Sequence, residues 1–136
     1  MFKTILFPID QSREAREAAE VVVEIVKKYD SRLVLLSVVE PADSNELSVE
    51  EVMESPDAVA QLLENAQSLF TQQGIQAESI EREGKPAFVI CDVADEIGAN
   101  LIIMGCRGIG LTEEGVAESV TNRVINLSPC PVMIVP

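Results

Sequence analysis

Residues 101–124 read LIIMGCRGIGLTEEGVAESVTNRV, and this stretch decides the fold. An apolar run, Leu101–Met104, meets a cluster of glycines, and valines then recur at every fourth position from Val116 to Val124. A strand, a glycine loop and a helix in this order are typical of α/β proteins that hold phosphate, because glycine lets backbone N–H groups approach an anion and the helix N-terminus adds positive potential. The same stretch carries three glutamates: Glu113, Glu114 and Glu118. The stretch therefore predicts a phosphate-binding loop and raises the question of how that loop tolerates the charge.

The alternation of strand and helix extends over the whole chain. Five apolar runs predict strands: Ile5–Ile9, Arg32–Glu40, Ile75–Glu81, Leu101–Met104 and Pro131–Val135. Between them, apolar residues recur at spacings of three and four, which predicts four amphipathic helices with their apolar stripes toward the sheet. The stripe of the second helix includes Leu69, and that of the last includes Leu127. Turn residues mark the ends of the second and third helices: Ser55 and Pro56, then Gly74, then Pro86, then Gly98.

Connections between successive parallel strands are right-handed, so this order predicts one architecture. It is an α/β fold: a three-layer, doubly wound, five-stranded parallel sheet with helices on both faces and strand order 3-2-1-4-5. Ligands in such folds bind beyond the carboxyl ends of the strands where the strand order reverses, here between strands one and four. Asp10 follows the first strand and the glycine loop follows the fourth, so two independent features converge there. We expect a single domain over residues 1–136.

The composition argues against several functions. The formal net charge of −13 disfavours general affinity for nucleic acid or an anionic membrane. The chain has no histidine, and so lacks the usual general base and the commonest metal ligand. Cys91, Cys106 and Cys130 are widely spaced and form neither a zinc pattern nor a disulfide framework, which favours a reducing compartment. No run resembles a signal peptide or a membrane span, and we expect a cytoplasmic protein.

Three segments resemble the universal stress protein A family. They are ILFPIDQS at residues 5–12, REGKPAFVI at 82–90, and LIIMGCRGIG followed by SVTNRVINLSPCPVMIV within 101–135. The ordered set covers essentially the whole chain, whereas a GxxG loop alone would be weak evidence. The resemblance implies an adenine nucleotide alpha hydrolase-like sheet, a role in stress response, and a homodimer paired through the last strand, Val132–Val135. One branch of the family binds ATP or a related adenine nucleotide, and another branch does not.

The same resemblance implies a binding site. In the nucleotide-binding branch, glycines are spaced GxxG, and nine residues later comes Gly-Ser or Gly-Thr. Gly105 and Gly108 match the first pair and Ser119 matches the hydroxyl residue, but Glu118 stands in place of the third glycine. The resemblance also implies that Pro8, Ile9 and Asp10 border the adenosine, with Asp10 near the ribose or a metal. It implies that Val38 offers backbone groups to the adenine and that Met104 lines the pocket. Val120 and Thr121 would donate to phosphate.

Glu118 leaves open whether this loop binds a nucleotide. At an effective dielectric constant near 20, like charges ~4 Å apart repel by on the order of 4 kcal/mol. A side chain turned to solvent, or a Mg²⁺ ion bridging it to the phosphates, would remove that repulsion. Arg107 could clamp a phosphate or pair with the neighbouring acids. Ser119 could cap the last helix as well as donate to phosphate.

Two further residues near the loop have competing interpretations. Asp10 could hold the ribose or a metal, or belong to the N-cap region of the first helix. Cys106 has no partner cysteine near in sequence, which favours a small inert residue over a redox sensor. Cys130, between two prolines, is interpreted as structural.

Three functions follow from these patterns. The first is a cytosolic dimer that binds ATP or AMP and reports on stress to an unidentified protein partner; AMP would tolerate Glu118 better than ATP. The second is a protein of the same fold that binds no nucleotide and acts through protein interactions, its site disabled by Glu118. The third, a slow ATPase using Asp10 and a metal, is disfavoured, because the chain has neither a histidine base nor a GxxxxGK[ST] phosphate loop.

Overall fold

The computed structural model describes residues 2–9, 13–39, 56–105 and 116–135, and within them strands and helices alternate. The strands are β1 (Thr4–Pro8), β2 (Arg32–Val39), β3 (Ala77–Glu83), β4 (Leu101–Gly105) and β5 (Val132–Val135). The helices are α1 (Arg13–Tyr29), α2 (Pro56–Gln72), α3 (Pro86–Ile97) and α4 (Val116–Leu127).

The described strands form one parallel sheet in the order β3-β2-β1-β4-β5. This confirms the predicted fold, with β1 at the centre and the polar β3 at one edge. Chain order and spatial order differ because β1 is followed by β2 and β3 on one side, and the chain then returns to add β4 and β5 on the other. The strand order reverses between β1 and β4, as predicted.

Helices cover both faces of the sheet, which explains why β1 is apolar without alternation. Ile5, Leu6 and Phe7 are at most 1% exposed, although adjacent residues of a strand point to opposite faces. Ile5 and Phe7 belong to a core with α1 and α2, and Leu6 belongs to a second core with α3 and α4. Buried members of the first core include Ala18, Val22, Leu63 and Phe70. Buried members of the second include Ile90, Val93, Ala94 and Val124.

The predicted turn residues set the helix ends that the structure describes. Pro56 and Pro86 are the first residues of α2 and α3, where the missing N–H of proline leaves no helical hydrogen bond unmade. Gly98 ends α3 in the left-handed conformation with φ 64°, and the N–H of Ala99 donates to the carbonyl oxygen of Ala94 at 2.9 Å. Ser55, predicted as an N-cap, lies outside the described residues.

Two residues predicted in the apolar stripes are exposed instead. Leu69 is 44% exposed because Leu63 and Phe70 point into the core, and Leu69 lies beside that line on the helix surface. Leu127 is 49% exposed because it is the last residue of α4, beyond the buried Val124. Both residues fit a helical spacing of three or four, but the prediction that they are buried in the apolar stripes was wrong.

The third strand begins two residues later than predicted. Ile75 is buried, but its N–H donates to the carbonyl oxygen of Phe70 at 2.9 Å, so Ile75 belongs to the turn that ends α2. Gly74, with φ 79°, makes that turn possible. The strand therefore starts at Ala77 and extends to Glu83.

Removing the Phe70 side chain should test the first core. Phe70 is fully buried and its ring meets that of Phe7 edge to face at a centroid distance of 6.2 Å. We expect Phe70→Ala to lower the free energy of unfolding by about 3–5 kcal/mol through lost burial and a residual cavity. Urea unfolding followed by circular dichroism measures this change.

The adjacent Leu69 provides the matched control. Leu69→Ala removes an aliphatic side chain from the same helix turn at a position that is 44% exposed, and we expect a loss of about 1 kcal/mol or less. Equal losses from the two variants would contradict the described orientation of α2.

Candidate functional site

The hydrogen-bonded ladder between β1 and β4 stops before the ladders on either side of it. The β1–β4 pairing consists of Ile5 with Leu101 and Leu6 with Ile102. β1 continues alongside β2 as far as Pro8 opposite Leu36, and β4 continues alongside β5 as far as Gly105 opposite Val135. The carboxyl ends of β1 and β4 are thus paired outward and not to each other. We call the region beyond the carboxyl ends of β1 and β4, where the strand order reverses, the switch-point crevice.

The backbone of Val38 faces this crevice. In a parallel strand, successive residues direct their N–H and C=O groups alternately to the two neighbours. The C=O of Leu36 accepts from the N–H of Ile9 at 2.8 Å, so Leu36 faces β1, and the C=O of Val39 accepts from Gly84 at 2.9 Å, so Val39 faces β3. Val38 must therefore face the β1 side, beyond Ile9, the last residue described after β1. The peptide N–H and C=O of Val38 are thereby directed toward the β1 side of β2, past the last described residue of that segment.

Gly105 faces the crevice from the opposite side. The N–H of Ile102 donates to the carbonyl oxygen of Pro131 at 3.0 Å, so Ile102 faces β5, and by the same alternation Gly105 faces β1. Gly105 is half-buried and is the last residue of β4. Val38 of β2 and Gly105 of β4 therefore both direct their backbone groups toward the position of β1.

Several predicted site side chains share one face of the sheet. Pro8 lies on the same face as Leu6, two residues before it, which belongs to the α3–α4 core. Met104 is a buried member of that core, and Val38 and Val120 pack against it. Ile9 differs, because it is 8% exposed and belongs to the α1–α2 core. Only the backbone of Ile9 can therefore border the crevice.

Ser119, Val120 and Thr121 lie in the first two turns of α4, the helix that follows β4 in the chain. The helix begins at Val116, so Ser119 is its fourth residue and cannot be the N-cap. The N–H of Val120 donates to the C=O of Val116 within the helix and is therefore not free to donate to a phosphate. Val120 can contribute to the site only through its side chain. Thr121 is 7% exposed, and its hydroxyl is one of the few buried polar side chains that the structure describes.

Two helix N-termini contribute positive potential at the carboxyl edge of the sheet. α1 and α4 both begin at the carboxyl edge of the sheet, directly after the connections from β1 and β4. The first N–H groups of a helix have no partner within it and carry partial positive charge, so both helices favour an anion at this edge.

Other predicted positions lie outside the described residues: Asp10, Cys106, Arg107, Gly108, Glu113 and Glu114. Within the described part of the chain, no cluster of three or more acidic or cysteine side chains could hold a metal ion. In that same part, no helix is both long enough and apolar enough to cross a bilayer.

Ser37 is a buried polar residue that the sequence analysis did not single out. It is 4% exposed and lies next to Val38 near the carboxyl end of β2. Its signal was a single hydroxyl within the apolar run LVLLSVV. By strand alternation it points to the α1–α2 face, on the opposite side from Val38 and Met104.

The two described cysteines lie beside the α3–α4 core and are unsuited to nucleophilic chemistry. Burial is the main cause that raises the pKa of the Cys91 thiol, and it also raises the pKa of the Cys130 thiol. Both groups are therefore thiols at neutral pH, which agrees with the structural interpretation of Cys130.

A second concavity lies at the opposite, amino edge of the sheet. This groove runs between the end of α1 and the second half of α2, past Lys27, Arg32, Glu64, Gln67 and Glu78. Its most prominent charges pair with each other, since Arg32 donates to Glu78 at 2.8 Å. We favour the crevice over this groove, because ligands of doubly wound sheets bind at the carboxyl edge.

The chain was compared with known proteins. A model of the universal stress protein family matches residues 1–136. A universal stress protein of Synechocystis is 64% identical over 136 residues, which is 100% of this chain and 87% of the relative. Among solved structures, the universal stress protein of Lactobacillus plantarum superposes with a TM-score of 0.81 at 25% identity, covering 99% of this chain and 98% of the other.

A third comparison concerns a structure solved with a ligand. A universal stress protein family protein of Arabidopsis thaliana, with AMP bound, superposes with a TM-score of 0.73 at 23% identity, covering 98% of this chain and 90% of that one. At this identity the likeness shows a shared fold.

Hydrogen exchange can test the direction of the Val38 backbone. We expect the amide of Val38 to exchange at least about tenfold faster than those of Leu36 and Val39, because only Val38 faces the crevice. Residue-resolved exchange by NMR on the ligand-free protein measures all three amides in one sample. Equal protection at all three positions would contradict the proposed alternation.

Proposed function

The chain belongs to the universal stress protein family, and we propose that it is a cytosolic stress-response module that binds an adenine nucleotide in the switch-point crevice. AMP is the preferred ligand and ATP binds more weakly. The observation that carries this proposal is the backbone of Val38, whose N–H and C=O face the β1 side of β2 beyond Ile9, near the point where the strand order reverses.

The Val38 backbone complements the edge of an adenine base. Adenine presents an amino donor next to a ring-nitrogen acceptor, and a single peptide N–H and C=O can pair with both. A base bound in this way would make the hydrogen bonds to the end of β2 that a neighbouring strand would otherwise make, so the backbone N–H and C=O of Val38 would have partners.

Apolar side chains provide walls for the base and the ribose. Pro8, Val38 and Met104 would provide these walls from one face of the sheet, and Val120 from the helix packed on that face; Met104 is 6% exposed. A planar base gains burial against such side chains, with few polar groups needed to orient it. This arrangement is typical of a small-molecule site.

The phosphate would lie between the glycine loop and the start of α4. Gly105 ends β4 facing the crevice, and Gly108 and Arg107 follow it in the loop. Ser119 and Thr121 are in the first two turns of α4, where hydroxyl donors act together with the positive end of the helix. Asp10 would contact the ribose or a Mg²⁺ ion.

Glu118 is the reason to prefer AMP. It is the third residue of α4, within the first helical turn, where the backbone favours anions and its own charge opposes them. ATP brings more negative charge than AMP, and therefore more repulsion from Glu118. A Mg²⁺ ion shared between the carboxylate and the phosphates would reduce the difference.

The solved neighbours support an adenine nucleotide as the ligand class. The Arabidopsis neighbour was solved with AMP bound, and its fold superposes over 98% of this chain. Glu118 supports an alternative, in which the protein binds no nucleotide and acts through a protein partner. The titration below distinguishes the two.

We further propose a homodimer formed through β5. β5 lies at the edge of the sheet, and its four residues, Val132–Val135, are apolar and half-buried. An apolar edge strand is a template for pairing with another strand. Because Pro131 faces β4, alternation directs the N–H groups of Val132 and Ile134 outward, where a second copy can accept them.

Calorimetric titration tests the nucleotide site. We expect AMP to bind the unmodified protein with a dissociation constant on the order of micromolar, and ATP to bind at least about tenfold more weakly in the absence of Mg²⁺. Glu118→Gly should narrow the difference between ATP and AMP, because it removes both the charge and the side chain. Thr121→Val, which keeps the volume and removes the hydroxyl, should weaken AMP binding by about tenfold.

Two controls separate the causes. Glu118→Gln keeps the size of the side chain and removes its charge, so it isolates repulsion from steric blockage. Glu20→Gln makes the same change in net charge at an exposed position of α1, and we expect it to leave both affinities unchanged. No heat with any nucleotide until Glu118 becomes glycine would show that Glu118 disables the site, and would contradict the proposed nucleotide binding.

A proline in β5 tests the dimer. Ile134→Pro removes an outward N–H but none that serves the β4–β5 ladder, so the fold should persist while the dimer dissociates. Light scattering after size-exclusion chromatography measures the mass. Ile134→Val keeps the donor and nearly the same volume, and it should remain dimeric. An unmodified protein that is monomeric, or an Ile134→Pro variant that stays dimeric, would rule out pairing through β5.

A further inference from the structure

A proline stands in the central strand of the sheet. Proline cannot donate a hydrogen bond, and in sheets it is normally confined to edge strands, strand starts and bulges. Pro8 is instead the last residue of β1, which lies between β2 and β4. Its position calls for a physical explanation.

The missing N–H of Pro8 is the one that would join β1 to β4. Ile9 donates to Leu36 of β2, so the odd-numbered residues of β1 face β2. The C=O of Thr4 accepts from the N–H of Asn100 at 2.8 Å, so the even-numbered residues face the β4 side. The nitrogen of Pro8 therefore faces β4, and its pairing with β2 is unaffected.

The register identifies the acceptor that is lost. Leu6 is opposite Ile102, and the parallel ladder repeats every two residues, so position 8 would donate to the carbonyl oxygen of Ile103. The β1–β4 pairing ends at Leu6 and Ile102, immediately before that bond. β4 continues for three more residues alongside β5 alone, through Ile103, Met104 and Gly105.

We infer that Pro8 is a positioning residue that keeps the switch-point crevice open by denying β1 its last hydrogen bond to β4. A residue with an N–H at this position would extend the ladder and draw the end of β4 toward β1. The Val38 and Gly105 backbone groups would then have less room for a ligand between them. The expected effect of a Pro8 substitution on ligand affinity rests on the proposed function, whereas its expected effect on the hydrogen bonds between β1 and β4 does not.

The inference predicts opposite effects on stability and on binding. Pro8→Ala and Pro8→Val supply the missing donor, and the Ile103 carbonyl gains a partner. We expect the new amide at position 8 to be protected from hydrogen exchange by at least about tenfold relative to an unstructured amide, and the Tm to be unchanged or higher. We expect AMP affinity measured by calorimetry to fall by at least about tenfold.

Pro131→Ala is the matched control. It makes the same chemical change before β5, away from the crevice, at an exposed position. We expect Pro131→Ala to leave AMP affinity within about twofold of that of the unmodified protein. Its change in Tm measures the loss of stability that arises only because an unfolded chain without the proline is more flexible.

The outcomes separate the inference from the proposed function. A residue-8 amide that exchanges as fast as an unstructured one in both variants overturns the ladder inference. A protected amide with unchanged AMP affinity overturns the positioning role. A protected amide in a protein whose unmodified form binds no AMP supports the ladder inference and overturns the proposed function. Loss of both Tm and affinity in both variants would identify Pro8 as a structural residue only.

Discussion

The ladder between β1 and β4 is the interaction on which the rest of the structure depends. β1 is the central strand, and its hydrogen bonds to β4 join the half of the sheet that contains β2 and β3 to the half that contains β5. The described ladder is short, with two residue pairs, and both involve fully or almost fully buried residues. Its described pairing ends at Leu6 and Ile102, whereas the β1–β2 and β4–β5 pairings continue toward the carboxyl edge.

The two apolar cores make so short a ladder sufficient. Ile5 and Phe7 are buried against α1 and α2, while Leu6 is buried against α3 and α4, so three consecutive residues of β1 contribute to both layers. Burying large aliphatic and aromatic side chains contributes on the order of 1.5–3 kcal/mol each. Packing on both faces holds the two halves of the sheet together, which allows the carboxyl end of β1 to serve a ligand site.

Sequence reasoning predicted the features that depend on chain order and failed on those that depend on orientation. The parallel sheet with helices on both faces followed from alternating apolar runs and right-handed crossovers, and the edge position of β3 agrees with its polar sequence. The direction of Ile9 did not follow from the sequence, because a residue in a continuous apolar run gives no sign of which face it joins. Leu69 satisfied the helical spacing and is nevertheless exposed, since Leu63 and Phe70 already occupy the contact with the sheet.

The candidate site divides in the same way. Its expected place beyond β1 and β4 follows from the topology, and Val38, Met104 and Val120 contact the same α3–α4 core. The backbone direction of Val38 required the register of the sheet, which no local pattern encodes.

The most direct test of the central claim is to map where AMP binds, by recording ¹⁵N–¹H correlation spectra of the protein during titration with AMP. We expect the largest shifts at the carboxyl edge of the sheet, on Val38, Gly105 and Thr121. Shifts concentrated instead at the amino edge, in the groove that contains Glu64 and Gln67, would contradict it. So would a titration that changes no resonance at millimolar AMP.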